Sequence, residues 1–282
     1  MQIVRTPRDM QGLVRKWRSA GKSVGFVPTM GAFHEGHLSL MRRARADNDV
    51  VVVSLFVNPK QFNDAADLAA YPRAEDADAR LAADAGVDVM YAPDASAMYA
   101  PGFATTITVS GVSEVLEGAS RGVGHFQGVA TVVAKLLNAV PCDRLYLGQK
   151  DAQQVAVLRR MIRDLDFDVE VVVCPTVRES DGLAMSSRNV RLGGDDRRRA
   201  LALRHGLDTA LALVARGERN ASRIVDAGTA AMRADGIEPE YFAAVDALSL
   251  QPLPTLAGDV LLAVAARVGP VRLIDNETVR IA

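Results

Sequence analysis

Lysine is scarce in this 282-residue chain. Of 33 basic residues only Lys16, Lys22, Lys60, Lys135 and Lys150 are lysine, leaving 28 arginines against 34 acidic residues. The net charge of −1 lacks the basic excess with which proteins usually engage nucleic acid or an anionic membrane surface. Neither partner is expected. A small anionic substrate stays open, because it needs only a few local charges. Cysteine is scarcer still. Cys142 and Cys174 cannot build a disulfide framework, and two thiols without a histidine cluster are not a zinc site. Both flank apolar stretches and prolines, so they are read as buried small hydrophobes. Long apolar runs are absent. The longest, Val260 to Ala266, is far short of the ~20 residues that span a bilayer. Residues 1–11 carry interspersed charges and no apolar stretch of a secretory signal. A soluble cytoplasmic protein is the expectation.

What is present is a large apolar fraction, 49% of residues, enough for one large domain or two ordinary ones at ~100–200 residues each. Short β-branched runs alternate with helical patterns. Strands are expected over Val24 to Val27, Val50 to Val57, Val87 to Tyr91, Arg144 to Leu147 and Val169 to Cys174. Helices are expected over Leu38 to Ala46, Ala74 to Ala85, Gly128 to Ala139 and Asp151 to Leu165. Near-continuous apolar strands separated by helices imply a parallel sheet covered on both faces. This is a Rossmann-like, doubly wound α/β layout, in which ligands bind at the carboxyl ends of the strands. The texture changes after Pro175. Two helices, Asp195 to Arg216 and Ala221 to Ala234, precede strands at Tyr241 to Val245, Val260 to Val268 and Val271 to Ile274, with Gly269-Pro270 as a hairpin turn. The expected division is a domain of residues 1–176 and a smaller α+β domain of residues 177–282.

Three constellations could carry chemistry. Pro28-Thr29-Met30-Gly31-Ala32-Phe33-His34-Glu35-Gly36-His37 joins the first expected strand to a helix. Its glycines let backbone approach a bulky group, and the helix N-terminus offers N–H groups to phosphate. The histidines are three apart, so this is not the zinc pattern with histidines four apart. Two of the chain's four histidines fall here. Gly148-Gln149-Lys150-Asp151 again lies between strand and helix. There a lysine can reach a phosphate while Asp151 caps the helix. A lysine at a turn is ordinarily just solvated, but the scarcity of lysine weakens that reading. Asp181 to Asn189 contains Met185-Ser186-Ser187-Arg188, and adjacent hydroxyls with a guanidinium form a phosphate clamp.

A His-x-Gly-His corner and a Met-Ser-Ser-Arg loop about 150 residues later resemble the two signatures of the HIGH-type nucleotidyltransferases. The stretches between them narrow the likeness. Phe56-Val57-Asn58-Pro59-Lys60-Gln61-Phe62, Tyr71-Pro72-Arg73, Leu116 to Arg121, His125 to Val129, Gly148 to Gln154 and Met185 to Asn189 follow one another as in the pantothenate synthetase (pantoate–β-alanine ligase) family. The resemblance is specific over about residues 25–190 and looser beyond. The chain departs from the family at Gly122-Val123-Gly124, where a proline-containing link is usual. It also has Gln149 where glutamate is more frequent, and Ala152 where an aromatic is common.

The resemblance implies an ATP-dependent ligase. Pantoate carboxylate attacks the α-phosphate of Mg-ATP, giving pantoyl adenylate and pyrophosphate, and the β-alanine amine then displaces AMP. By the same resemblance ATP meets Met30, Gly31, Ala32, Phe33, His34, Glu35, Gly36 and His37, then Gly148, Gln149, Lys150 and Asp151, then Val177, Met185, Ser186, Ser187 and Arg188. His37 is the family's proton donor, and His34 sits near the phosphates. Lys150, Ser186, Ser187 and Arg188 are the expected transition-state stabilisers. Gln61 and Gln154 match the family's pantoate positions, since amides can donate and accept at once, and Gln61 also meets β-alanine. Met30, Phe62 and Val129 could pack pantoate's gem-dimethyl group, while Asn58, Tyr71 and Arg121 stand behind these. The smaller domain is expected to close over the ATP site. Mg²⁺ is expected with the ATP, no carboxylate cage for a resident metal is visible, and the family is usually homodimeric. Two other readings compete. One is a different HIGH-type enzyme, such as a cytidylyltransferase or an aminoacyl-tRNA synthetase core, against which the two glutamines and the missing anticodon domain count. The other is a nucleotide-binding scaffold without catalysis, against which the complete set of histidines and cations counts.

Overall fold

Runs of buried β-branched residues make the central strands. β1 (Gln2–Val4), β2 (Val24–Thr29), β3 (Val50–Leu55), β4 (Val89–Tyr91), β5 (Arg144–Gly148) and β6 (Glu170–Cys174) form one parallel sheet, ordered β1-β4-β3-β2-β5-β6. The computed structural model describes residues 1–62, 68, 69 and 71–281. Parallel neighbours need crossovers, and the helices Pro7–Ser19, Glu35–Asp47, Glu75–Asp84, Val123–Ala139 and Ala152–Asp164 supply them. The inner strands β2 and β3 are buried over nearly their whole length, while the edge strands β1 and β6 are partly exposed. One layer of the core packs Val27, Val51, Val53 and Met90 against Leu40, Met41, Ala44 and Ala82 of two helices.

The chain divides into two compact units. One comprises residues 1–148 and 157–175, and the other residues 149–156 and 176–282. The sequence reading places residues 149–156 before its boundary, whereas spatially they group with the second unit. In the first unit the strand order turns at β2, with β3 and β4 on one side and β5 and β6 on the other. Such a reversal opens a crevice at the carboxyl ends of the two diverging strands. β2 and β5 pair directly through Gly25–Arg144 and Phe26–Leu145. The chain therefore leaves neighbouring parallel strands at Met30 and at Gly148, two of the expected ligand segments.

In the second unit, β7 (Pro239–Asp246), β8 (Gly258–Val268) and β9 (Val271–Ile281) form an antiparallel sheet. The helices Ala202–Ala215 and Ala221–Ala234 share a core with it that includes Leu203, Leu207, Ile224, Met232, Val260, Leu262 and Val264. The β8–β9 turn is Gly269-Pro270, with Val268 opposite Val271. Gly269 has φ +53°, which a two-residue hairpin with glycine first requires. Several features depart from expectation; among them, β9 runs to Ile281 where the strand was expected to end at Ile274, and the short helices Ala95–Met98 and Glu117–Arg121 were not expected. The helix read as Asp195 to Arg216 is two helices, Gly194–Arg199 and Ala202–Ala215. At the break Leu201 N–H and Leu203 N–H each bond three residues back, to Arg198 and Ala200, a tightened turn rather than a continued α-helix. β1 and the Pro7–Ser19 helix were not expected at all. No described helix is long and apolar enough to cross a membrane.

Candidate active site

The corner after β2 is held from below by a buried carboxylate. Gly31 and Ala32 have φ of +88° and +54°, a left-handed pair that turns successive N–H groups the same way. Ala32 N–H and Phe33 N–H donate to Asp78 Oδ2 and Oδ1, each at 2.8 Å. Asp78 is 2% exposed. Alanine in this conformation costs ~1–2 kcal/mol, which two charge-assisted hydrogen bonds offset. A Cβ on Gly31 would lie 2.9 Å from Asp78 Oδ2, so the tight approach and the positive φ both call for glycine there. Upstream, Thr29 Oγ1 donates to the Ser54 carbonyl at 2.5 Å and accepts from Gly31 N–H at 3.3 Å, tying the corner to β3.

Both histidines of the corner cap the helix Glu35–Asp47. His34 is its N-cap, and His34 Nδ1 accepts from Gly36 N–H at 3.2 Å. His37 Nδ1 accepts from His34 N–H at 3.4 Å, closing a reciprocal capping box. This arrangement usually pairs a Ser or Thr with a Glu or Gln. Acceptance at each Nδ1 puts the ring proton on Nε2 in both residues. The rings pack in tilted pairs, with centroids 4.2 Å apart for His34–His37 and 5.6 Å for Phe33–His37. Both rings lie at the positive end of a helix dipole. Glu35 forms an ion pair with Arg42 of the same helix.

Gln61 is fixed by a second cluster in the same unit. It ends the 3-10 turn Pro59–Gln61, capped by Asn58. Asn58 is fully buried. Its Nδ2 donates to Gln61 Oε1 at 3.0 Å and to the Gly128 carbonyl at 3.1 Å, and its Oδ1 accepts from Tyr99 Oη at 2.8 Å. Burial pushes the Tyr99 hydroxyl up to about 12 even though its bond to Asn58 pulls the other way, so it remains a donor. His125 Nδ1 lies 3.0 Å from the Gln61 carbonyl. A Cβ on Gly128 would meet the Lys60 carbonyl oxygen at 2.2 Å, so glycine alone lets the Val123–Ala139 helix pack against this turn. That helix begins directly after Gly122, at φ +80°. Met30 and Phe62 are half-buried and Val129 is fully buried. Tyr71 packs edge-on against Phe62, and Arg121 bonds Glu117 at 2.8 Å.

The remaining expected residues belong to the second unit, apart from Gly148 at the end of β5. Gln149–Asp151 is one 3-10 turn leading into the helix Ala152–Asp164. Lys150 Nζ lies 3.6 Å from Asp151 Oδ1. Gln154 is half-buried in the first turn of that helix. The Val177 carbonyl accepts from Met185 N–H at 3.0 Å. Ser186 Oγ accepts from Arg188 N–H at 3.2 Å. The loop that carries Ser186, Ser187 and Arg188 is pinned by Asn189, whose Nδ2 donates to Glu179 Oε1 at 2.7 Å and to the Ala184 carbonyl at 3.0 Å. Arg197 reaches the other Glu179 oxygen at 2.8 Å. Among the described residues, no group of three or more histidines, cysteines or carboxylates is arranged to hold a metal ion. Cys142 and Cys174 are free and buried, and burial raises the Cys142 thiol to about 12.

Comparison with known proteins decides among the competing readings. Residues 2–278 match the family described as pantoate-beta-alanine ligase. The chain belongs to that family. It is therefore an enzyme, a carbon–nitrogen ligase. A pantothenate synthetase of Chelativorans sp. is 53% identical over 97% of this chain and 96% of its own. One from Heliobacterium modesticaldum is 50% identical over the full length of both. Among solved structures, pantothenate synthetase from Thermus thermophilus aligns with TM-score 0.92 and 44% identity over 98% of this chain and 99% of that one. A pantoate-beta-alanine ligase from Francisella tularensis, complexed with beta-gamma ATP and beta-alanine, aligns with TM-score 0.77 and 34% identity over 98% and 97%.

Sequence reasoning missed the residues behind the ligase's motifs: Asp78, Ser54, Glu179 and, in β9, Asp275 and Asn276. For Asp78 a signal was available. It stands four residues before Ala82, on the buried face of the Glu75–Asp84 helix, where an acidic residue needs a partner.

Proposed function

We propose that the chain joins pantoate to β-alanine at the expense of ATP through a pantoyl-adenylate intermediate. A pantoate carboxylate oxygen attacks the α-phosphorus, and the bond to pyrophosphate breaks. The β-alanine amine then attacks the acyl carbon, loses a proton, and AMP departs with the bridging oxygen. A free carboxylate is a poor acyl donor, and the adenylate supplies the leaving group. The intermediate hydrolyses readily, so the site must exclude water.

The observation that carries this reading is the pair of capping histidines at the start of the Glu35–Asp47 helix, which follows the crevice strand β2. Nε2–H of His34 and of His37 serve as neutral hydrogen-bond donors to ATP phosphate oxygens. Deprotonation of a carboxylate nucleophile is not required, so His37 acts by stabilising charge. Met30 to His37, Gly148 to Asp151, Val177 and Met185 to Arg188 contact ATP. Lys150, Ser186, Ser187 and Arg188 offset the charge that develops on the leaving pyrophosphate. Each such contact is worth ~3–4 kcal/mol, or ~10²–10³ in rate. Gln61 and Gln154 bind pantoate's hydroxyls and carboxylate, and Gln61 also meets β-alanine. Mg²⁺ arrives with the triphosphate as part of the substrate. A cytoplasmic homodimer is the assembly we infer from the family resemblance.

Oxygen labelling tests the route. With pantoate carrying ¹⁸O in its carboxylate, one labelled oxygen is expected in AMP. Label in inorganic phosphate, with ADP as the nucleotide product, would mean attack at the γ-phosphorus and would overturn the adenylate reading.

A further inference from the structure

We propose that Asn276, on strand β9, is a positioning residue that sets Lys150 for its work on the phosphates. The inference rests on the role given to Lys150 above. Asn276 is 4% exposed. Its Nδ2 donates to the main-chain carbonyls of Gln149 at 3.1 Å and Lys150 at 2.9 Å. Carbonyls only accept, so the amide orientation is unambiguous. Its Oδ1 accepts from Gln149 Nε2 at 3.0 Å, and Gln149 Nε2 also reaches Thr278 Oγ1 at 3.1 Å. Three of these four bonds end on the Asn276 side chain, and all four involve the turn that carries Lys150.

The other face of the strand holds the other motif of the same unit. Side chains alternate along a strand, so Asn276 and Thr278 share one face while Asp275 and Glu277 share the opposite one. Asp275 is 3% exposed and accepts from Arg178 at 2.6 and 3.0 Å, and Glu277 accepts from the same guanidinium at 2.9 Å. Arg178 follows Val177, bridges to Ala184 in the backbone, and donates to the Gly182 carbonyl at 3.2 Å. It thereby fixes the hairpin that ends in Met185-Ser186-Ser187-Arg188. Four consecutive residues of β9 thus register the Lys150 turn on one face and the Ser186–Arg188 hairpin on the other. Lysine is a flexible point charge. Anchoring its main chain removes freedom that would otherwise be lost at the transition state, where a misplacement of about 1 Å costs ~10²-fold.

The test is a double-mutant cycle on pantoate-dependent pyrophosphate–ATP exchange, with Asn276→Ala, Asn276→Asp and Lys150→Ala. Asn276→Asp keeps the side-chain volume and exchanges the donor for an acceptor that faces the same carbonyls, so it serves if the alanine variant folds poorly, and thermal unfolding monitors both. The expected result is a loss of at least about tenfold in kcat/KM for ATP, with KM for pantoate unchanged. In the Lys150→Ala background the same Asn276 substitution should cost little more. Full multiplicative losses in that background, or near-normal exchange in Asn276→Asp, would overturn the proposal. Normal exchange in Lys150→Ala alone would instead remove the role given to Lys150, and this inference with it.

Discussion

Asp78 gives both of its carboxylate oxygens to backbone N–H groups of the corner at Ala32 and Phe33, and no solvent can replace them there. Removing a buried acceptor leaves its donors unsatisfied at ~1–3 kcal/mol each. Asp78→Ala is therefore expected to lower unfolding stability by about 2–6 kcal/mol and to depress exchange beyond what the stability loss explains, because His34 and His37 ride on that corner. Urea unfolding beside exchange kinetics checks it, and a variant of wild-type stability would contradict the account. His37→Ala and Lys150→Ala should each cut exchange at least about tenfold with the fold intact. At this scale the motif residues were legible because their types are chemically unusual: clustered histidines, a rare lysine, paired serines beside an arginine. Asn276 and Asp275 were not, because ordinary polar residues reveal themselves only through partners 126 or 97 positions away.

At the scale of elements, the packing of a helix against a turn decides where Gln61, proposed to bind pantoate, stands. Gly128 allows the Val123–Ala139 helix to touch the Lys60 carbonyl, and Asn58 ties the Pro59–Gln61 turn to that helix. Gly128→Ala should destabilise the protein by ~1–3 kcal/mol through overpacking. It should also raise KM for pantoate more than KM for ATP, as steady-state kinetics with each substrate varied would show. Equal effects on both would argue that the turn has no special tie to pantoate. The inner strands and the hairpin at Gly269-Pro270 were readable because buried β-branched runs and turn chemistry leave local marks. β1 was not, since three residues are too few for a pattern. The Pro7–Ser19 helix carried its signals, Thr6 capping Asp9 N–H and Pro7 in the first turn, but only Met10 and Val14 are fully buried, so its apolar stripe is thin among charges. The tightened turn at Ala200–Leu201 leaves both residues in helical φ/ψ and cannot be read from periodicity.

Across the whole molecule, a net charge of −1 leaves attraction of a triphosphate to a few placed groups rather than to a surface field. The scarce lysines fit that economy. Lys60 lies over the Tyr99 and Phe103 rings, and Lys135 over Phe103, while Lys150 lies in the phosphate-type turn. The buried acids set an alkaline limit. Burial raises Cys142 from 9.0, and Tyr91, Tyr99 and Tyr146 from 10.0, to about 12 each. Between those values the unfolded chain has released protons that the folded chain still holds, so rising pH favours unfolding. Their contribution is complete below about pH 9 and is lost progressively toward pH 12. Urea midpoints should therefore fall above about pH 9, and a midpoint level to pH 11 would contradict the burial of these groups.

Every role proposed above depends on activation of pantoate at the α-phosphate of ATP by the residues around the two capping histidines. Exchange of labelled pyrophosphate into ATP measures it most directly. The expected exchange requires pantoate, proceeds without β-alanine, and is followed by AMP release once β-alanine is added. Exchange supported only by a different acid, or none in a folded protein that binds ATP, would contradict it.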